Sequence, residues 1–397
     1  MAADPWLTII GLGEDGLAGL TDASRAALDG AEIVFGGPRH LALAGAGARG
    51  RDWPVPFDIA PVLACRGRPV AVLASGDPFW FGAGGSLAAQ LEPGEWQAHP
   101  VPGSVSLAAA RLGWRIEETD CLGLHAAPLA VLRARIAPCC RIIATQRDGR
   151  APAELAQWLA AQGFGAMRMV VLERLGGPAE RVREARAAGF KLSDIAAPVV
   201  VALCGADLPR GSGLARAAGL PDSDFAHDGQ ITRSAVRALT LAALAPRRGE
   251  ALWDIGGGSG SISVEWALAG GRATCIEPRA DRIATIRANI DGFGLQGRVA
   301  ALQGSAPEAL EGLAAPDAVF LGGGASAGLL DRLWTLLPPG ARLVANAVTL
   351  DSEALLAAMQ ARQGGRLLRI DLAEAQPLGR MRGWQPQRPV VQWAVTR

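Results

Sequence analysis

The sequence predicts an α/β protein of two domains, the second a doubly wound sheet, and three observations carry that reading. Short apolar runs alternate with segments of helical length along the whole chain, as strands and helices laid down in turn would. In the second half one such run, Ala251-Leu252-Trp253-Asp254-Ile255, breaks into Gly256-Gly257-Gly258-Ser259-Gly260 and leads into a helix predicted over 262–269. Between the halves, residues 208–226 are rich in Gly, Pro, Ser and Asp, which marks a linker. The domains are therefore expected at 1–207 and 227–397.

The glycine loop and the acid that follows it suggest what the second domain holds. A backbone without Cβ atoms can come against a ligand that side chains would push away. The turn also aims free N–H groups at an anionic group near the helix start. Glu277 closes the next apolar run, where an acid can accept both hydroxyls of a ribose. A turn serving only chain reversal has no use for that acid, so the pair points to a nucleoside. A dinucleotide fingerprint wants G-x-G-x-x-G, but Gly256 and Gly258 are followed by Ser261, which disfavours a dinucleotide oxidoreductase. The spacing resembles instead the D-x-G-x-G-x-G loop of class I S-adenosylmethionine-dependent methyltransferases, read as Asp254, Gly256, Gly258 and Gly260.

Composition narrows the classes. With 397 residues, half of them hydrophobic, the chain can bury two or three cores. A net charge of +1 gives no reason to expect nucleic acid or an anionic membrane. Lys191 is the only lysine, so the cations are arginines, which suit bidentate capture of carboxylates. The six cysteines lack C-x-x-C spacing and read as thiols of a reducing compartment; Cys139-Cys140 reads as two core-side residues rather than a redox pair. The four histidines are too scattered for a zinc motif. The N-terminus lacks the basic region of a signal peptide, and no apolar run reaches the roughly 20 residues that span a bilayer. A cytoplasmic protein is expected.

In the first domain, residues 7–10 form a strand, followed by Gly11-Leu12-Gly13-Glu14-Asp15-Gly16, where two acids would repel a pyrophosphate despite the glycine spacing. Thr21 caps a helix over 22–28, and 33–35 is a second strand. An apolar run from Pro69 ends in Gly76-Asp77-Pro78-Phe79-Trp80-Phe81-Gly82, and Pro102-Gly103-Ser104-Val105-Ser106 opens a helix reaching 112. Strands over 141–144, 169–173 and 198–203, with a helix over 153–162, complete a parallel or mixed sheet.

Three of these loops resemble, in order and spacing, the signatures of the tetrapyrrole (precorrin/corrin) methylase family. They are Ile10-Gly11-Leu12-Gly13 with Leu20-Thr21, Gly76-Asp77-Pro78-Phe79 with Gly82, and Pro102 to Ser106. The resemblance implies two α/β halves with S-adenosyl-L-methionine in the cleft between them. It implies cofactor contacts at Gly76, Asp77, Pro78, Gly103, Ser104 and Ser106. His125 falls where the family often has a substrate loop, although a locally satisfied loop histidine fits the residues as well. Glu14 stands where the family's first loop usually has proline.

The second domain opens with a helix carrying Ala235, Leu239, Ala242 and Leu244 at helical spacing. After Glu277 come a helix over 280–289, a strand ending at Gln303-Gly304-Ser305-Ala306 and another ending in Gly322-Gly323-Gly324. A strand over 342–349, a helix over 352–363 and strands near 367–371 and 390–395 close the chain. Ile231-Thr232-Arg233 and the stretches 254–265, 304–310, 320–324 and 346–349 resemble the cobalamin-pathway methyltransferases that act on meso carbon 15 and decarboxylate the ring-C acetate. That resemblance assigns Thr232, Gly256, Gly257, Gly258, Ser259, Gly260, Glu277, Ser305 and Ala306 to S-adenosyl-L-methionine, and Asn346 to the substrate. Arg380 and Arg382, in a loop over 379–383, are candidates for a substrate carboxylate, though surface arginines would look the same.

Two unrelated methyltransferase signatures on one chain call for two methyl transfers. Together the resemblances imply methylation of meso carbons 5 and 15 of precorrin-6B, with loss of the ring-C acetate carboxyl, giving precorrin-8 in aerobic cobalamin biosynthesis. An activated methyl needs alignment more than a nucleophile, and no Cys–His or Ser–His–Asp constellation is visible, so the catalytic side chains stay unassigned. The conjugated macrocycle can itself take up the electrons of decarboxylation. Another corrinoid substrate, or an amino-terminal module that binds corrinoid without catalysis, remains open, and leftover apolar surface could support self-association.

Overall fold

The computed structural model describes residues 5–397. They divide into two compact units, one running to Leu129 and from Arg135 to Ser212, the other comprising Ala130–Ala134 and Gly213–Arg397.

The first unit holds two five-stranded sheets. One contains β1 (Leu7–Leu12), β2 (Ile33–Gly36), β3 (Gly50–Asp52), β4 (Val70–Ser75) and β5 (Trp96–His99), in the order β3-β2-β4-β1-β5 with every pair parallel. β1 is buried along its whole length. Leu7 and Ile9 pack into one layer and Ile10 and Leu12 into the other, as the two-residue period of a covered parallel strand requires. Thr21 caps the helix Asp22–Gly30 by accepting the Ser24 N–H at 3.2 Å.

The other sheet contains β6 (Asp120–Gly123), β7 (Arg141–Thr145), β8 (Arg168–Glu173), β9 (Arg181–Arg186) and β10 (Val199–Cys204), in the order β6-β7-β10-β8-β9. Only β6 and β7 run parallel, so it is mixed. β9 is an edge strand whose sequence, Arg-Val-Arg-Glu-Ala-Arg, has no apolar run to mark it. Its Arg181 and Arg183 hold the buried Glu173 carboxylate at 2.6 and 3.0 Å. Burial pushes that carboxyl up, but the hydrogen bonds from Arg181, the Ala196 N–H and Arg183 outweigh it and leave it below its ordinary range.

The second unit is built on a seven-stranded sheet of β11 (Ala251–Ile255), β12 (Arg272–Glu277), β13 (Val299–Gln303), β14 (Ala318–Leu321), β15 (Arg342–Ala347), β16 (Arg366–Ile370) and β19 (Val390–Thr396). The order is β13-β12-β11-β14-β15-β19-β16, with β19 antiparallel to both neighbours. Both faces are covered. Ala318 and Phe320 of β14 pack with the helices Ser261–Leu268 and Ala280–Gly292, while Val319 and Leu321 pack with Ala327–Leu336 and Leu350–Gln363. The chain winds outward from β11 in one direction and then from β14 in the other. That reversal opens a crevice at the carboxyl ends of the strands.

Two regions differ from their sequence reading. Within 208–226, expected as a linker, Leu220 and Phe225 are buried in the second unit's core. Fully buried Arg237 holds this stretch: it donates to Glu265 at 2.5 Å and to Asp222 at 3.1 Å, and also to the Leu220 and Thr232 carbonyls. Glu265 in turn accepts the Gly219 and Leu220 N–H groups at 2.7 and 3.0 Å. The 379–383 loop is the tip of a hairpin of β17 (Ala373–Leu378) and β18 (Met381–Pro386), which pair with each other and are mostly exposed.

Candidate active sites

The loop after β11 is shaped by three left-handed residues, Gly256, Gly258 and Gly260, with φ of +71°, +57° and +75°. Gly256 and Gly257 both donate to the Ile276 carbonyl, at 2.9 and 3.1 Å, so the turn lies flat against β12. A Cβ on Gly257 would stand 2.1 Å from the Cys275 sulfur. Asp254 sits beneath the loop and braces the following helix, accepting the Ser263 hydroxyl at 2.6 Å and the Ser263 N–H at 3.2 Å. Its other oxygen, Oδ1, has no hydrogen-bond partner among the described residues. Burial pushes the Asp254 carboxyl up to about 6 against the Ser263 hydrogen bonds.

Glu277 ends β12 beside this loop and is 3% exposed. Its Oε2 accepts the Gly258 N–H at 3.0 Å and its Oε1 accepts the Arg279 N–H at 3.2 Å, leaving each oxygen a further lone pair for a ligand. A cavity of about 1170 Å³ opens here, lined by Gly256, Gly257, Gly258, Glu277, Thr232, Ser305, Ala306 and Asn346. Ser259 and Gly260 do not line it. The Ser259 carbonyl accepts from Asn289 at 2.8 Å, and a Cβ on Gly260 would press on Ile286 at 3.1 Å, so both face the helix behind. The Asn346 amide donates to Thr240 and accepts from Gln392, both at 3.0 Å, which fixes its orientation at the wall.

The first unit has its own cavity, about 710 Å³, lined by Asp77, Gly103, Ser104, Ser106 and His125. Gly76, at φ +60°, puts the two turns backbone to backbone, since a Cβ there would stand 2.4 Å from Gly103 Cα. Gly76 and Pro78 shape this wall without lining the main cavity. Gly76 borders a narrower cleft with Glu14 and Ser104, and the Pro78 carbonyl receives the Gly84 N–H at 3.0 Å. The Asp77 carboxylate accepts the Phe79 N–H at 2.9 Å. His125 Nδ1 lies 3.2 Å from the Thr145 hydroxyl, with its ring edge-on to Phe81. Glu14, where the family pattern has proline, pairs with Arg39, which also donates to the Ser75 hydroxyl at 2.9 Å. His40 shares that hydroxyl at 2.8 Å and is pushed down to about 4 by burial and then by the Arg39 charge.

Residues 7–190 match the family model for Tetrapyrrole (Corrin/Porphyrin) Methylases, and 223–397 match the Precorrin methyltransferase domain. A Precorrin-6Y C(5,15)-methyltransferase (decarboxylating) from Sinorhizobium sp is 47% identical over 99% of this chain and 97% of its own length. The chain belongs to the precorrin-6Y C(5,15)-methyltransferase (decarboxylating) family. A second such relative, from Mycobacterium tuberculosis (strain CDC 1551 / Oshkosh), is 39% identical over 98% of this chain and 100% of its own. A crystal structure of the C-terminal domain of precorrin-6Y C5,15-methyltransferase from Rhodobacter capsulatus is 66% identical and covers 46% of this chain and 100% of that one, with a TM-score of 0.46.

The arginines stand differently from the expectation. Arg380 lies in the exposed hairpin turn and Arg382 on β18, and neither lines the large cavity. Arg233, Arg282 and Arg388 line it instead. No motif marks Trp53, Phe57, Trp80 and Phe81, which also line the first unit's cavity. The run Phe79-Trp80-Phe81 in a loop is the sequence signal, since two of its large apolar side chains, Phe79 and Phe81, stay exposed.

Proposed function

We propose that this chain uses two S-adenosyl-L-methionine to methylate meso carbons 5 and 15 of precorrin-6B, and removes the ring-C acetate carboxyl as carbon dioxide, giving precorrin-8. The supporting observation is that each unit has its own cavity walled by a glycine turn, in a chain similar to a C(5,15)-methyltransferase along nearly its full length. We allot carbon 5 to the first unit, and carbon 15 with the decarboxylation to the second. The reading includes a cytoplasmic location.

The residues fit the cofactor. The backbone at Gly258, at φ +57° with a Cβ position only 3.0 Å from the Gln230 carbonyl, suits glycine, which lets the loop keep this shape. The Glu277 carboxylate keeps lone pairs for a ribose diol while holding the loop. When bound, S-adenosyl-L-methionine supplies an activated sulfonium methyl. Ser305 and Ala306 offer a surface for the base, and Asn346, fixed by Thr240 and Gln392, presents a set edge to the macrocycle. In the first unit, Asp77, Gly103, Ser104 and Ser106 line the cofactor end and His125 the substrate end. Fixed walls of this kind serve alignment, which is what methyl transfer to an electron-rich carbon requires.

Calorimetric titration of S-adenosylhomocysteine into the full chain tests the reading. Two sites are expected, with Gly258→Arg removing only one. Mass spectrometry of precorrin-6B turnover should show two added methyls and one lost carboxyl. A single site in the wild-type chain would refute the two-transfer reading and favour an amino-terminal module that only binds.

A further inference from the structure

We infer that Arg388 anchors a peripheral carboxylate of the tetrapyrrole in the second unit's cavity, an inference that rests on the function proposed above. Of the three arginines lining that cavity, two are committed. Arg233 donates to Asp222 at 3.3 Å, and Arg282 donates to Asp228 at 3.0 Å and lies 4.0 Å from Glu277. Among the described residues Arg388 has no ion-pair partner and no hydrogen-bond acceptor. The nearby wall acid, Glu374, is engaged by Gln387 Nε2 at 2.9 Å.

The backbone that carries Arg388 is held on both sides. The Gln387 N–H donates to the Leu372 carbonyl at 2.8 Å, and Val390 packs with Val236 and Ile370. Phe320, Leu329, Val348 and Val390 supply apolar wall to the same cavity. A flat substrate carrying several carboxylates therefore meets, in this cavity, one guanidinium without a protein partner. Its planar fork matches both oxygens of a carboxylate.

The carboxylate held by Arg388 is one that the reaction keeps. An ion pair stabilises a carboxylate more than the neutral carbon dioxide it would become, so it raises the barrier to decarboxylation. The ring-C acetate must then lie elsewhere, and binding one retained side chain at Arg388 orients the ring so that it does.

The test uses the full chain with Arg388→Ala and Arg388→Lys, precorrin-6B as substrate, and the decarboxylated product read by mass spectrometry. For Arg388→Ala, KM is expected to rise about 10- to 100-fold, the range for loss of a hydrogen bond to a charged group, with kcat little changed. Arg388→Lys should recover part of that loss. The dependence of KM on salt should flatten in the alanine variant, which loss of shape alone would not produce. S-adenosylhomocysteine affinity should stay within about twofold of wild type, reporting an intact fold. An unchanged KM in Arg388→Ala, with the wild type active, overturns this inference alone. So does a rise in KM matched by an equal loss of S-adenosylhomocysteine affinity. A wild-type chain that does not turn over precorrin-6B overturns the functional reading and this inference with it.

Discussion

The Gly258 N–H donates to Glu277 Oε2 at 3.0 Å, so the loop after β11 and the acid ending β12 form one structure. Glu277→Ala removes the acceptor for Gly258 and that for Arg279 as well as any contact to a ribose. Affinity for S-adenosylhomocysteine at one of the two sites is expected to fall about 10- to 100-fold while the other is unchanged, as read by calorimetry. An equal loss at both sites would contradict this.

Gly76→Ala should be the counterpart in the first unit. The new Cβ would stand 2.4 Å from Gly103 Cα on a residue at φ +60°, so the two turns must part. Methylation of carbon 5 is expected to be lost, while methylation of carbon 15 and decarboxylation persist. Mass spectrometry of the products distinguishes these.

Arg237→Ala leaves the Glu265 carboxylate buried without its cation. Breaking such a pair costs about 3–5 kcal/mol, expected here as a fall in the denaturant midpoint. Adding Glu265→Gln removes the buried charge and keeps one amide oxygen, an acceptor for either the Gly219 or the Leu220 N–H, which the carboxylate receives on separate oxygens, so it should recover part of the loss. If the double variant is no more stable than Arg237→Ala, the charge is not the cause.

Asp254 predicts a pH dependence of stability. Its folded value of about 6 lies above the ordinary 3.8, so the folded state favours the proton. That stability is fully present below 3.8 and is lost as pH rises through about 6, a change of at most roughly 3 kcal/mol. Urea midpoints at several pH values should show a component of this sign in the wild type that is absent in Asp254→Asn. Identical pH profiles would count against a buried, protonated Asp254.

The sequence by itself determined the features that rest on neighbours a few residues apart. The glycine loop with Glu277, the Thr21 cap, the Gly76-Asp77-Pro78 turn and the alternation of strands with helices all follow from local geometry, in which a left-handed φ or a cap leaves its mark in the residue type. Tertiary structure decided what depends on residues distant in the chain. Arg237 meets Glu265 across 28 positions, and β9 is a strand because it pairs along the whole of β8, where Arg181 and Arg183 reach Glu173, not because its own pattern is apolar. Ser259 and Gly260 belong to the same loop as Gly258, yet they face the helix behind because successive residues of a tight turn point in different directions. Arg380, Arg382 and Arg388 look alike in the sequence. Only the pairing of β17 with β18 and the insertion of β19 between β15 and β16 carry the first two out on an exposed hairpin and leave the third at the cavity wall. A side chain's environment is set by what the sheet brings beside it, and that order is written in contacts between distant residues.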